Sequence, residues 1–176
     1  MATLARLVMG RQGASAVIAF LLALFSTCLL QTAIVPSLAI GGIQPDLFLI
    51  LLFGLSLSAG PELTATAGFF IGLYQDSLSG APLGLNAFAL SLIGFLVNRL
   101  SRQVKTTDLL GRFAMLCLAG LLSGLITLLL LRFFHAPRPI ASALLWTALP
   151  GALYTAMVGT GLLAMLKPHT TMGLTR

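Results

Sequence analysis

Along this chain, long apolar stretches are broken by short polar ones, and no charged residue occurs within 13–45, 47–61, 63–75, 77–98, 113–131 or 139–166. A helix crossing a bilayer needs about 20 apolar residues, with a range of about 17–25. The first, fourth, fifth and sixth runs meet that requirement directly. The pair 47–61 and 63–75 can be read either as one tilted span or as a hairpin of two short helices. Gly60 followed by Pro61 favours the hairpin, because proline lacks a backbone donor and pushes its predecessor out of helical geometry.

Charge parity points the same way. With six helices, Arg6, Arg11, Arg99, Arg102, Lys105, Arg112, Lys167 and Arg176 fall on one side and only Arg132 and Arg138 on the other. A single span over 47–75 would spread the cations almost evenly. The excess of Lys and Arg in cytoplasmic segments selects the six-helix arrangement with both termini in the cytoplasm. The pattern therefore predicts helices at about 14–35, 46–59, 62–76, 83–103, 108–133 and 139–166, forming one bundle over 1–176. The N-terminal run is too long for the apolar region of a signal peptide, so it is expected to stay as the first helix. Pro150-Gly151 should kink the last helix. The spacings Gly68–Gly72 and Gly120–Gly124 should allow close helix approach.

Composition agrees with this class. Charged residues make up 8% of the 176 positions and mean hydropathy is +1.04, against about 25% charged in soluble domains. The chain is expected to be an all-α integral membrane protein. The formal charge of +6 comes from dispersed Lys and Arg, which suit topology and lipid headgroups and argue against nucleic acid as a partner. The segment 99–112 should be the main cytoplasmic loop, with Arg99, Arg102, Lys105 and Arg112 as a basic patch facing lipid or a cytoplasmic partner.

The chemistry on offer is sparse. Cys28 and Cys117 sit in apolar runs with no Cys-x-x-Cys pattern, and His135 and His169 fall on opposite sides of the predicted membrane. No nucleophile-and-base motif occurs, so the chain is not expected to be an enzyme or to carry a cofactor or metal. Among the four carboxylates, Asp46 follows Pro45 at a helix start, where negative charge suits the dipole. Glu62 belongs to the hairpin turn. Asp76 stands at the predicted C-terminal end of helix 3, the wrong pole for a carboxylate. It needs compensation, from the turn SLSGAP, from Arg132 or Arg138, or from a partner protein.

The stretch 43–100 carries a Pro-Asp opening an apolar helix, a short loop bounded by Gly-Pro and a Gly-x-x-x-Gly-Leu-x-x-Asp run. A Ser/Gly/Pro turn and Leu-Gly-Leu-x-Ala follow. In these features the chain closely resembles the MreD family of rod shape-determining proteins. The matching positions are Pro45, Asp46, Gly68, Gly72, Asp76, Gly80, Pro82, Gly84 and Asn86, the last standing where many members have His. The resemblance implies a non-enzymatic inner-membrane adaptor of the elongation machinery. Such an adaptor binds the bitopic protein MreC and helps couple MreB filaments to a peptidoglycan synthase pair, a SEDS glycosyltransferase with a class B penicillin-binding protein. Pro45, Asp46, Asp76, Gly80, Pro82, Gly84 and Asn86 become the candidate partner interface.

The six-helix plan is also similar to the substrate-binding component of energy-coupling-factor vitamin transporters, and Ala19–Ala23 has the spacing those components use for docking. A vitamin pocket would have to draw on Gln31, Tyr74, Asn86, Trp146 and Tyr154. These five are expected to be too few and too dispersed to form one.

Overall fold

The computed structural model describes residues 2–79, 83–103, 108–133 and 144–165, with side chains described over 18–78, 83–103, 108–130 and 146–165. These residues form six α-helices: α1 (Ala2–Ala33), α2 (Leu47–Ser58), α3 (Pro61–Ser79), α4 (Leu85–Ser101), α5 (Leu109–Phe133) and α6 (Leu149–Met165). A π turn, Leu144–Ala148, leads into α6, and a 3-10 turn, Val35–Leu38, follows α1. Among the described residues two helices are long and apolar enough to cross a membrane, Leu109–Leu130 and Trp146–Met165, and Ile18–Ala33, Leu47–Ser58 and Leu85–Ser101 are shorter apolar segments.

The helix α1 begins at Ala2, twelve residues before the expected start at 14. Its first turns are rich in Ala, Leu, Met and Arg, all good helix formers, and nothing in them breaks the helix as it leaves the apolar run. The break between α2 and α3 falls at Ala59-Gly60, with Pro61 at the first position of α3, where its missing N–H costs nothing. Glu62 lies exposed in the first turn of α3, beside the positive helix pole. At the other end α3 runs three residues past the expected stop at Asp76. Pro150 is accommodated by the π turn just before it, a wider turn that absorbs the lost i to i−4 bond.

α2 is the axis of the bundle. Phe48, Leu49, Ile50, Leu52 and Phe53 are all buried, and Leu47, Leu51 and Leu55 on the remaining face are half-buried, so neighbours cover most of this helix. At 12 residues it is about 18 Å long, against a hydrocarbon core of about 30 Å. Around it stand two close helix pairs. In the first, a Cβ on Gly72 would collide with the carbonyl oxygen of Asn86, one on Gly68 with that of Leu90, and one on Gly94 would sit 2.7 Å from the carbonyl oxygen of Thr64. Hydrogen as a side chain is what lets α3 and α4 touch backbone to backbone. In the second pair, Gly120 and Gly124 of α5 face Ala152 and Ala148, where added Cβ atoms would approach to 2.9 and 2.7 Å. Cys28 is buried and Cys117 half-buried; both are free thiols in the apolar core.

Candidate functional site

An axial helix shorter than its neighbours leaves space at its ends. At the C-terminal end of α2 the space is filled. Asn98, fully buried on α4, donates from Nδ2 to the carbonyl oxygens of Ser56 (2.7 Å) and Ala59 (2.8 Å) and approaches Thr64 Oγ1 at 3.4 Å. Arg102 donates from Nε to Asn98 Oδ1 (3.2 Å) and from Nη2 to the carbonyl of Ala59 (3.3 Å). The last carbonyls of a helix have no intrahelical donor, and here two side chains from α4 supply them. The expected basic patch is therefore divided in its roles: Arg99 is exposed, and Arg102 is exposed but bonded to the hairpin. Arg112 is half-buried, and Lys105 lies outside the described residues.

At the N-terminal end of α2 the space is a cavity of about 600 Å³. Gln31 and Thr32 line it from α1, and Gln44, Asp46 and Phe48 from the approach to α2 and its first turn. Gln75 and Leu78 come from α3, Asn86 from α4, Ser123, Gly124, Thr127 and Leu128 from α5, and Thr147 and Ala148 from the π turn. The approach is shaped by a tight turn in which Ile40 and Ile43 exchange two backbone bonds of 3.1 Å, with Gly41 and Gly42 at φ of 60° and 82°. Positive φ at two successive positions is the type I′ geometry that glycine permits. Tyr154 anchors the preceding segment by donating to the carbonyl of Leu38 at 3.0 Å.

The first backbone donors of α2 are taken up inside the fold. The Asp46 N–H donates to Thr155 Oγ1 (3.0 Å), the Leu47 N–H to Gln31 Oε1 (2.9 Å), and the Leu49 N–H to Asp46 Oδ1 (3.1 Å). Gln31 in turn donates from Nε2 to the carbonyl of Pro45 (3.2 Å). Gln75 Nε2 approaches Asp46 Oδ1 at 3.4 Å. Asp46 is thus the N-cap of α2, as its position after Pro45 suggested, and it is also the one charged residue among the described residues lining the cavity.

Asp76 has a different surrounding from the one its sequence position suggested. It is 1% exposed, and its carboxylate accepts the N–H groups of Gly84 (2.8 Å), Asn86 (3.0 Å) and Ala87 (3.2 Å). It lies near the C-terminal pole of its own helix but caps the N-terminus of the next. Gly84 occupies the N-cap of α4 at φ 100° and has no side chain to do so, so the orphan donors of that helix are satisfied from α3.

The remaining interface candidates fall into separate groups. Pro45 is buried, Asn86 is half-buried on the cavity wall, and Gly80 and Pro82 lie outside the described residues. Arg132 and Arg138 also have no described side chains. Of the five residues considered for a small-molecule pocket, Gln31 and Asn86 share this cavity. The other three do not line it. Trp146 is 78% exposed, Tyr74 packs edge-on against Phe48 with ring centroids 5.9 Å apart, and Tyr154 serves the segment after α1. Sequence reasoning missed Gln44, Gln75, Ser123, Thr127 and Thr147. The one available signal was polarity within apolar runs, notably Gln31 and Gln75. Among the described residues no three His, Cys, Asp or Glu side chains come together to hold a metal ion.

Fold and site together define a helical bundle of membrane-protein character, built around a short axial helix with a cavity at its head into which one carboxylate and several neutral polar residues are gathered. The family model for rod shape-determining protein MreD matches residues 11–164. The chain belongs to the MreD family of shape-determining structural proteins of the bacterial inner membrane. No curated protein and no solved structure matches it.

Proposed function

We propose that this chain is a non-enzymatic adaptor of the rod-shape complex, and that the cavity at the head of α2 receives the membrane-proximal segment of an MreC-like bitopic protein. In this reading the cavity opens to the external side of a six-span bundle with both termini in the cytoplasm. The exposed Arg99 and its neighbours face lipid or MreB filaments, and the coupling reaches the SEDS glycosyltransferase and class B penicillin-binding protein through the assembled complex. The observation that carries the proposal is the cavity itself: six parts of the fold converge on it with mostly hydrogen-bonding side chains. Open polar space at membrane depth is costly unless something polar fills it.

In this arrangement Asp76 positions the interface and does not touch the partner. Being buried, it fixes where α4 begins, and hence where Asn86 stands on the cavity wall. Placing Trp at Ser123, on the cavity wall, occupies the space from α5. The Ser123→Trp variant is expected to fold, to remain in the membrane and to lose co-purification with the MreC-like protein in mild detergent. Retention of the partner by that variant would sink the docking reading.

One observation favours a second reading. The cavity's volume lies within the roughly 300–1,000 Å³ of small-molecule sites, which suits a substrate-binding component of a vitamin transporter. Depletion in the native host separates the two. Rounded, swollen cells support the adaptor, whereas rod-shaped cells that need a vitamin supplement support the transporter.

A further inference from the structure

We infer that the cavity recognises a positively charged, hydrogen-bond-donating side chain, a lysine or arginine on the docking segment of the bitopic partner, with Asp46 as its counter-charge. This inference rests on the docking reading above and gives that site a chemistry.

The first ground is what the cavity cannot bind. A helix N-terminus is ordinarily suited to anions, but here the Asp46, Leu47 and Leu49 N–H groups are already bonded to Thr155, Gln31 and Asp46. The anion-binding capacity of α2 is used up internally. A carboxylate of the protein itself then stands at the helix head, so a second negative charge would be repelled.

The second ground is the state of that carboxylate. The donors on Asp46 are all neutral amides: the backbone N–H groups of its own first turn and the Gln75 side chain. Among the described residues no Lys, Arg or His lines the cavity. An ionisable group at membrane depth is normally paired or faces a polar cavity, and it marks a functional site. The cap hydrogen bond alone does not call for a charge, because asparagine caps a helix about as well as aspartate, and the helix dipole accounts for only part of it. Asp76 gives the contrast: it is held by three backbone N–H groups, is 1% exposed, and is out of reach of any occupant.

The third ground is the remaining wall. The side-chain amides of Gln44 and Asn86 and the hydroxyls of Ser123 and Thr127 line the same space. These neutral acceptors can take the several N–H donors of an ammonium or guanidinium while Asp46 supplies the charge. Lysine or arginine also brings an apolar stem that can pack against Phe48 and Leu128.

The test uses the full-length chain and the full-length MreC-like protein in mild detergent, with affinity measured at two salt concentrations. Asp46→Asn keeps the cap and removes the charge. It is expected to weaken binding about tenfold or more and to flatten the salt dependence. Gln44→Glu, which adds a carboxylate to the same wall, is expected to tighten binding. Asp46→Lys should be rescued to within about threefold of wild type by reversing one basic residue in the partner's membrane-proximal segment. Equal affinity of wild type and Asp46→Asn within about twofold, with no gain from Gln44→Glu, would overturn the inference and leave the docking reading standing. Failure of the wild-type chain to bind the partner at all would instead overturn the docking reading, and the inference with it.

Discussion

The two ends of α2 face one problem and solve it in opposite ways. Each end stops well inside the thickness a membrane bundle must fill, and each leaves backbone groups without intrahelical partners. At the C-terminal end the gap is closed by Asn98 and Arg102, whose donors go to the last carbonyls of the helix. At the N-terminal end the backbone is equally well satisfied, yet a cavity of about 600 Å³ remains above it. The difference teaches that the cavity is not a by-product of helix capping.

Mutations can break that comparison, and the largest effect is expected at the filled end. Asn98→Leu removes its donors to Ser56 and Ala59 and the acceptor of the Arg102 Nε bond, leaving the buried Ser56 carbonyl without that partner. It should cost about 3 kcal/mol or more, read as a lower unfolding midpoint in detergent. Asp76→Ala comes next, at about 2 kcal/mol, because three N–H groups at the head of α4 lose their acceptor. Asp76→Asn should recover part of that loss in the same measurement. Thr127→Val, on the cavity wall, should change stability by less than about 0.5 kcal/mol. A large loss at Thr127 would mean that the open end is as structurally committed as the closed one, and the contrast between them would fail.

Much of the fold was legible in the sequence because apolar run length and proline are local signals. The runs at 47–61 and 63–75 divide where Gly60-Pro61 stands, and α2 and α3 meet there. The expected close approaches at Gly68–Gly72 and Gly120–Gly124 are seen as backbone and Ala contacts. Asp76 was less legible, since its own helix dipole poses the question and a different helix answers it. The clue was eight residues downstream: α4 starts at Gly84-Leu85 with no Ser, Thr, Asp or Asn to cap it. The cavity was least legible. Gln31, Gln75, Ser123 and Thr147 are neutral residues spread over most of the chain, and only the packing of α1, α3, α5 and the π turn brings them together. Asn98 had a weak local signal, an Asn four residues before Arg102 at the end of a helix, and together the two supply donors to the end of α2.

The bond from the Asp46 N–H to Thr155 spans 109 positions of the chain, and that from Tyr154 to Leu38 spans 116. The Asp76 cap spans at most 11. Contacts so unequal in sequence separation form in sequence order during synthesis. The α3–α4 pair can lock as soon as α4 has been made, whereas the head of α2 is completed only by the last helix. A chain stalled before Thr155 would carry a finished hairpin and an unfinished cavity. On the docking reading, partner capture then doubles as a check on completed assembly, because the receptor site comes into being only when the final span is in place.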